Sequence, residues 1–178
     1  MDNKRAIFFC SSNAGIDPAF NVLARETVLM VARHGYGITS GGSWRGTMGV
    51  VGDAAAEAGA EHIGVIPRFM NGLEHPLQTR TCWVDTMAER KELLRSMSSL
   101  AVILPGGIGT MDEFFETLVL IKLKRWEGRI IVMNPKGFYD PLKALLEHFV
   151  NSGMLSRSDA DSCLFASTAE EAEKLLFA

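Results

Sequence analysis

Two charged residues in this 178-residue chain stand where the surrounding pattern is apolar. Arg90 lies in M-A-E-R-K at 87–91, and Glu113 closes L-P-G-G-I-G-T-M-D-E at 104–113. At the helical repeat, Arg90 falls on the stripe formed by Met87, Leu94 and Met97. A guanidinium keeps its proton and is costly to bury without an anionic partner. Either its head snorkels to the surface or it meets a carboxylate or a phosphate. Glu113 opens the helix that follows the next strand, and this order suggests a pair. The bland alternative is that Thr110-x-x-Glu113 forms a capping box. In the functional reading, the positive helix start keeps Glu113 ionised at the mouth of a dry region.

Glycine loops flank these residues. Gly106, Gly107 and Gly109 follow an apolar strand and precede a helix. Exposed N–H groups and the helix dipole favour an anion there, although a plain tight turn needs the same glycines. No G-x-x-x-x-G-K-[ST] occurs, and Asp112 stands where G-x-G-x-x-G needs its third glycine. A second loop, S-G-G-S-W-R-G-T-M-G at 40–49, repeats the arrangement.

These loops need a scaffold. Apolar runs suited to strands occur at 6–10, 37–40, 62–66, 81–84, 100–104, 129–133 and 163–165. Helical patterns lie between them at 18–34, 45–59, 86–98, 111–124, 141–152 and 168–177. This alternation predicts an α/β fold with a mostly parallel sheet and helices on both faces, one domain over 1–178. Asp17-Pro18, Asp85-to-Glu89 and Asp140-Pro141 read as helix starts. The 111–124 helix is apolar on most of its circumference, which predicts burial between the sheet and a second subunit. Ligands of open α/β sheets bind beyond the carboxyl ends of the strands, which points to loops 11–16, 41–47, 67–75 and 105–110.

Composition removes several classes. A net charge of −3 argues against a nucleic-acid partner. The three cysteines, Cys10, Cys82 and Cys163, make no C-x-x-C pair, and the four histidines show no metal-ligand spacing. No signal peptide or membrane-spanning run is apparent, so a cytoplasmic protein is expected. No metal or cofactor is expected.

Together, M-A-E-R-K and P-G-G-I-G-T-M-D-E resemble the signature of the Lonely Guy (LOG) family, an Arg-Lys pair before P-G-G-x-G-T-x-x-E. The likeness extends to G-G-x-x-x-G-x-M-G at 41–49, G-V-I-P at 64–67, V-D-T-M at 84–87 and N-P-K-G-F-Y-D-P-L at 134–142. It implies a Rossmann-like three-layer sandwich and a homodimer with active sites near the interface. It also implies hydrolysis of cytokinin riboside 5′-monophosphates, or AMP, to free base and ribose 5-phosphate. Arg90 and Glu113 match the family's catalytic pair. Lys91, Gly107, Ile108, Gly109 and Thr110, with Gly42, Gly46 and Met48, match positions that hold the small-molecule nucleotide. Glu116 is expected to be structural or interfacial. Such chains are often labelled lysine decarboxylases, but nothing here suggests a pyridoxal phosphate site. Ser43, Thr47 and Val119 depart from the family pattern, at positions that bear on base preference and dimer contacts. A non-catalytic nucleotide or cofactor carrier of the same fold is the alternative, and base transfer between sugars is a third.

Overall fold

The computed structural model describes residues 4–178. Seven strands form one parallel sheet: β1 (Arg5–Phe9), β2 (Gly37–Ser40), β3 (His62–Pro67), β4 (Arg80–Val84), β5 (Leu100–Ile103), β6 (Arg129–Met133) and β7 (Cys163–Ala166). Their spatial order is β4-β3-β2-β1-β5-β6-β7. The chain winds outward from β1 in one direction, then returns to β5 on its other side. Between these two strands lies the topological switch point, where open α/β sheets leave a crevice at their carboxyl ends.

Among the described residues, seven α-helices cover the sheet: α1 (Pro18–Arg33), α2 (Gly46–Glu57), α3 (Met87–Ser96), α4 (Ile108–Lys122), α5 (Asp140–Asn151), α6 (Arg157–Asp161) and α7 (Ala169–Phe177). Side chains alternate along each strand. Ala6, Phe8 and Val102 therefore join a core with Leu23, Val28 and Val51 of α1 and α2. Ile7, Phe9 and Ile103 join the opposite core with Leu94, Phe114 and Leu142 of α3, α4 and α5. Burial on both faces explains why the strands read as unbroken apolar runs. Each of the Val, Leu, Ile and Phe side chains among them contributes about 2 kcal/mol when fully withdrawn from water.

Helix starts are mostly as the sequence suggests. Asp17 accepts a hydrogen bond from the Ala19 N–H at 2.9 Å, and Thr86 and Glu89 form a reciprocal capping box. Asp140 differs: Tyr139 is the N-cap, and the Asp140 carboxylate accepts from Asn134 Nδ2 at 2.8 Å. Helix α6 has five residues, too few to register as a periodic pattern. No helix among the described residues is long and apolar enough to cross a membrane.

Candidate active site

The capping box fixes the register of α3 and turns Arg90 toward the sheet, where the residue is only 6% exposed. Its Nε donates to the Val65 carbonyl of β3 at 2.9 Å. Its Nη1 lies 3.6 Å from Glu113 Oε1, so the pairing suggested by chain order is present. Met87, assigned to the same apolar stripe, is instead 41% exposed and lines the cleft. It is the first residue of α3, beyond the edge of the packed layer.

Glu113 is not an N-cap partner. Helix α4 starts at Ile108, earlier than the pattern indicates, with Gly107 as an N-cap that has no side-chain hydrogen bond. Thr110 is buried within the first turn, against Gly106, where a Cβ would come within 2.1 Å of Thr110 Oγ1. The first backbone bond of the helix runs from Met111 N–H to the Gly107 carbonyl at 3.1 Å. The N–H groups of Ile108, Gly109 and Thr110 therefore precede the intrahelical ladder. A Cβ built at Gly107 or Gly109 would meet nothing, and Ile108 is 92% exposed. The helix start thus presents an open, electropositive surface.

Burial dominates the electrostatics of Glu113. It pushes the carboxyl up to about 7, against the opposing pull of Arg90; Asp112 adds to the rise, while Lys91 and Arg95 oppose it. The helix start does not hold Glu113 fully ionised at neutrality, contrary to the sequence expectation. Withdrawing a carboxylate from water outweighs the attraction of one guanidinium at 3.6 Å.

A cleft of about 260 Å³ runs between the loop after β1 and the start of α4. Arg90, Glu113, Met48 and Gly107 through Thr110 all line it, so the structure brings these sequence candidates together. Lys91 is outside the lining. Its Nζ is held by Asp112 Oδ2 at 2.9 Å and Glu116 Oε2 at 2.5 Å. Glu116 also accepts from Arg95 Nη2 at 2.8 Å, which ties α3 to α4. Gly42 and Gly46 shape the second glycine loop without lining the cleft. Both have positive φ, 71° and 55°, which accounts for glycine at each position.

Residue-level reasoning missed Cys10, Ser11, Ser12, Asn13, Met87 and Asp112 as lining residues. The rule of strand carboxyl ends selected the 11–16 loop but gave no reason to prefer particular side chains in it. Burial raises the Cys10 thiol well above its ordinary range, which makes it a poor thiolate nucleophile. A larger depression of about 460 Å³ lies among Lys4, Tyr36 and Glu61, where strands begin. It is remote from the charged pair.

The topology and the charged crevice define an α/β sandwich of the Rossmann-like class with its site at the switch point. A family model described as "Possible lysine decarboxylase" matches residues 48–176. The chain is 30% identical over 156 residues to the cytokinin riboside 5′-monophosphate phosphoribohydrolase of Rhodococcoides fascians, covering 86% of this chain and 79% of that one. It is likewise 30% identical over 152 residues to the Mycobacterium tuberculosis protein of that name, covering 84% and 81%. This chain belongs to that family, the Lonely Guy family. The molybdenum cofactor binding protein of Rippkaea orientalis shares the fold with a TM-score of 0.75 and 19% identity, covering 99% of this chain and 97% of that one. The molybdenum cofactor carrier protein of Chlamydomonas reinhardtii does so with a TM-score of 0.73 and 20% identity, covering 97% and 96%.

Proposed function

We propose that the chain hydrolyses the N-glycosidic bond of nucleoside 5′-monophosphates, cytokinin riboside monophosphates or AMP, releasing free base and ribose 5-phosphate. One observation carries this reading: a buried carboxyl that titrates near neutrality shares a cleft with the open first turn of α4. The 5′-phosphate accepts from the N–H groups of Ile108, Gly109 and Thr110, and so anchors the ribose beside Glu113. As the C1′–N bond breaks, its electron pair leaves with the base and positive charge builds on the sugar. Ionised Glu113 stabilises that charge and accepts a proton from the water that adds to C1′. The base gains a proton from solvent. Arg90 holds Glu113 in place and, with its high pKa, does not donate the proton. Lys91, turned toward Asp112 and Glu116, supports the α3–α4 junction in this reading. The proposal includes a second copy of the chain against α4, where Val119 and Leu123 are exposed.

The test is a panel of nucleoside monophosphates, including AMP and an N6-substituted AMP, analysed by chromatography for free base and ribose 5-phosphate. Release of base, abolished in Glu113→Gln, is expected. Nucleotide-dependent thermal stabilisation without any base release would favour a carrier instead. The relatives named as phosphoribohydrolases support the enzyme reading.

A further inference from the structure

We infer that Gly41 is a positioning residue: the space left by its missing side chain is what brings the Arg90 guanidinium beside Glu113. A Cβ built on Gly41 would lie 1.9 Å from Arg90 Nη2 and 3.1 Å from Arg90 Cζ. These separations are far inside van der Waals contact, so the guanidinium and a side chain at 41 cannot coexist as placed. Backbone conformation does not account for this glycine. Gly42 and Gly46 have positive φ, whereas Gly41 does not. Space, rather than φ, distinguishes it.

The consequence follows from what holds Arg90. Its Nε is fixed by the Val65 carbonyl at 2.9 Å, and Met48 Sδ would stand 3.0 Å from the added Cβ. The displaced part would be the far end of the arginine, which is flexible, rather than the backbone of β2. An alanine at 41 therefore moves Nη1 and Nη2 while leaving the sheet intact. Glu113 then loses its nearest counter-charge. Of the other groups acting on it, Asp112 on α4 opposes ionisation, while Lys91 and Arg95 on α3 favour it from outside the cleft. Cys10, the residue just after β1, faces the same pair and is neutral at physiological pH.

This inference rests on the hydrolase reading only for what the pair does to substrate. The decisive measurement is thus independent of turnover: a carbon-13 NMR titration of the Glu113 carboxyl, assigned by its loss in Glu113→Gln. In Gly41→Ala the midpoint should move upward by about one pH unit, because an opposing charge has withdrawn. In an Arg90→Met background, Gly41→Ala should move it no further, since both changes act on one guanidinium. An unmoved midpoint in folded Gly41→Ala overturns the inference, as does an equal upward step in the Arg90→Met background. Should Gly41→Ala fail to fold, the double variant with Arg90→Met decides. Folding recovered to the level of Arg90→Met alone supports the clash, and persistent misfolding overturns it. Absence of base release by the wild-type protein would sink the hydrolase reading and leave the titration result standing.

Discussion

Arg90 Nη1 sits 3.6 Å from Glu113 Oε1, between two side chains that are each almost withdrawn from water. A guanidinium this close ordinarily pulls a carboxyl well below its usual range. Here the carboxyl titrates at about 7, so desolvation wins and the folded protein holds a proton that the unfolded chain releases near 4.5. The sign for stability follows. Between about 4.5 and about 7 the native state binds more protons than the unfolded state, and stability falls as pH rises through that window. Glu113→Gln mimics the protonated carboxyl at every pH. It should therefore stabilise the protein at pH 8 by about 3 kcal/mol, a rise in Tm of roughly 10 °C, and change little at pH 4. Thermal unfolding at both pH values checks this; equal Tm values at pH 8 would remove the claim of a costly buried carboxylate.

The same titration governs turnover if ionised Glu113 accepts the water proton. The competent fraction grows as pH rises through about 7. Hydrolysis should lose about tenfold in kcat/KM for each pH unit below that point and level off above it. Removing the carboxylate should lower kcat by at least about 1000-fold, with a smaller change in nucleotide affinity measured by calorimetry. A profile flat from pH 5 to 8 would assign Glu113 a different role.

The charged pair was legible in the sequence because the helical repeat sets Arg90 among apolar positions, and one strand separates its helix from Glu113. The parallel sheet was legible because burial on both faces gives β1, β5 and β6 continuous apolar runs. Lys91 shows where such reasoning stops. One residue beyond Arg90 is a rotation of 100°, enough to carry its ammonium out of the cleft toward Asp112 and Glu116. The start of α4 was misplaced because Gly109 within its first turn, directly after the N-cap Gly107, obscures a helix that the fold imposes. The state of Glu113 was misjudged because a helix dipole is a local property, whereas desolvation depends on what packs nearby. The β1–α1 loop contributes side chains through topology alone, since β1 and β5 become neighbours only in the folded sheet.

Tyr139 supplies a test of the glycine loop's support. Its buried hydroxyl donates to the Leu104 carbonyl at 2.8 Å, just before Pro105 and the glycines. Burial raises the phenol beyond its ordinary range, so it remains a donor at all working pH values. Tyr139→Phe leaves that carbonyl without its side-chain donor and should cost about 1 kcal/mol of stability. Because the loop leads into α4, KM for a nucleoside monophosphate should rise severalfold while kcat changes less than twofold. An unchanged KM would show that the loop is held by its own backbone.

A second buried titrating group acts on stability in the opposite direction. His62 is 1% exposed, and its Nε2 lies 2.8 Å from Ser40 Oγ, which accepts the Gly42 N–H at 3.0 Å. Burial, and then the nearby His75, lower its imidazole to about 4. An unfolded histidine takes up a proton near 6.5, so this group's contribution is present above that pH and is lost as pH falls toward about 4. Glu113 gains over nearly the same interval on acidification, and the two slopes largely cancel between about 4.5 and 6.5. Removing one group should uncover the other. Glu113→Gln should lose on the order of 3 kcal/mol between pH 6.5 and 4 relative to the wild type's profile. His62→Gln, which keeps a polar partner for Ser40, should instead become relatively more stable toward acid. Urea unfolding at pH 4, 5.5, 7 and 8 reads both variants against the wild type, so the other carboxylates cancel in the difference. Parallel profiles for all three proteins would mean that neither buried group titrates abnormally, and the electrostatic account of the cleft would fall with them.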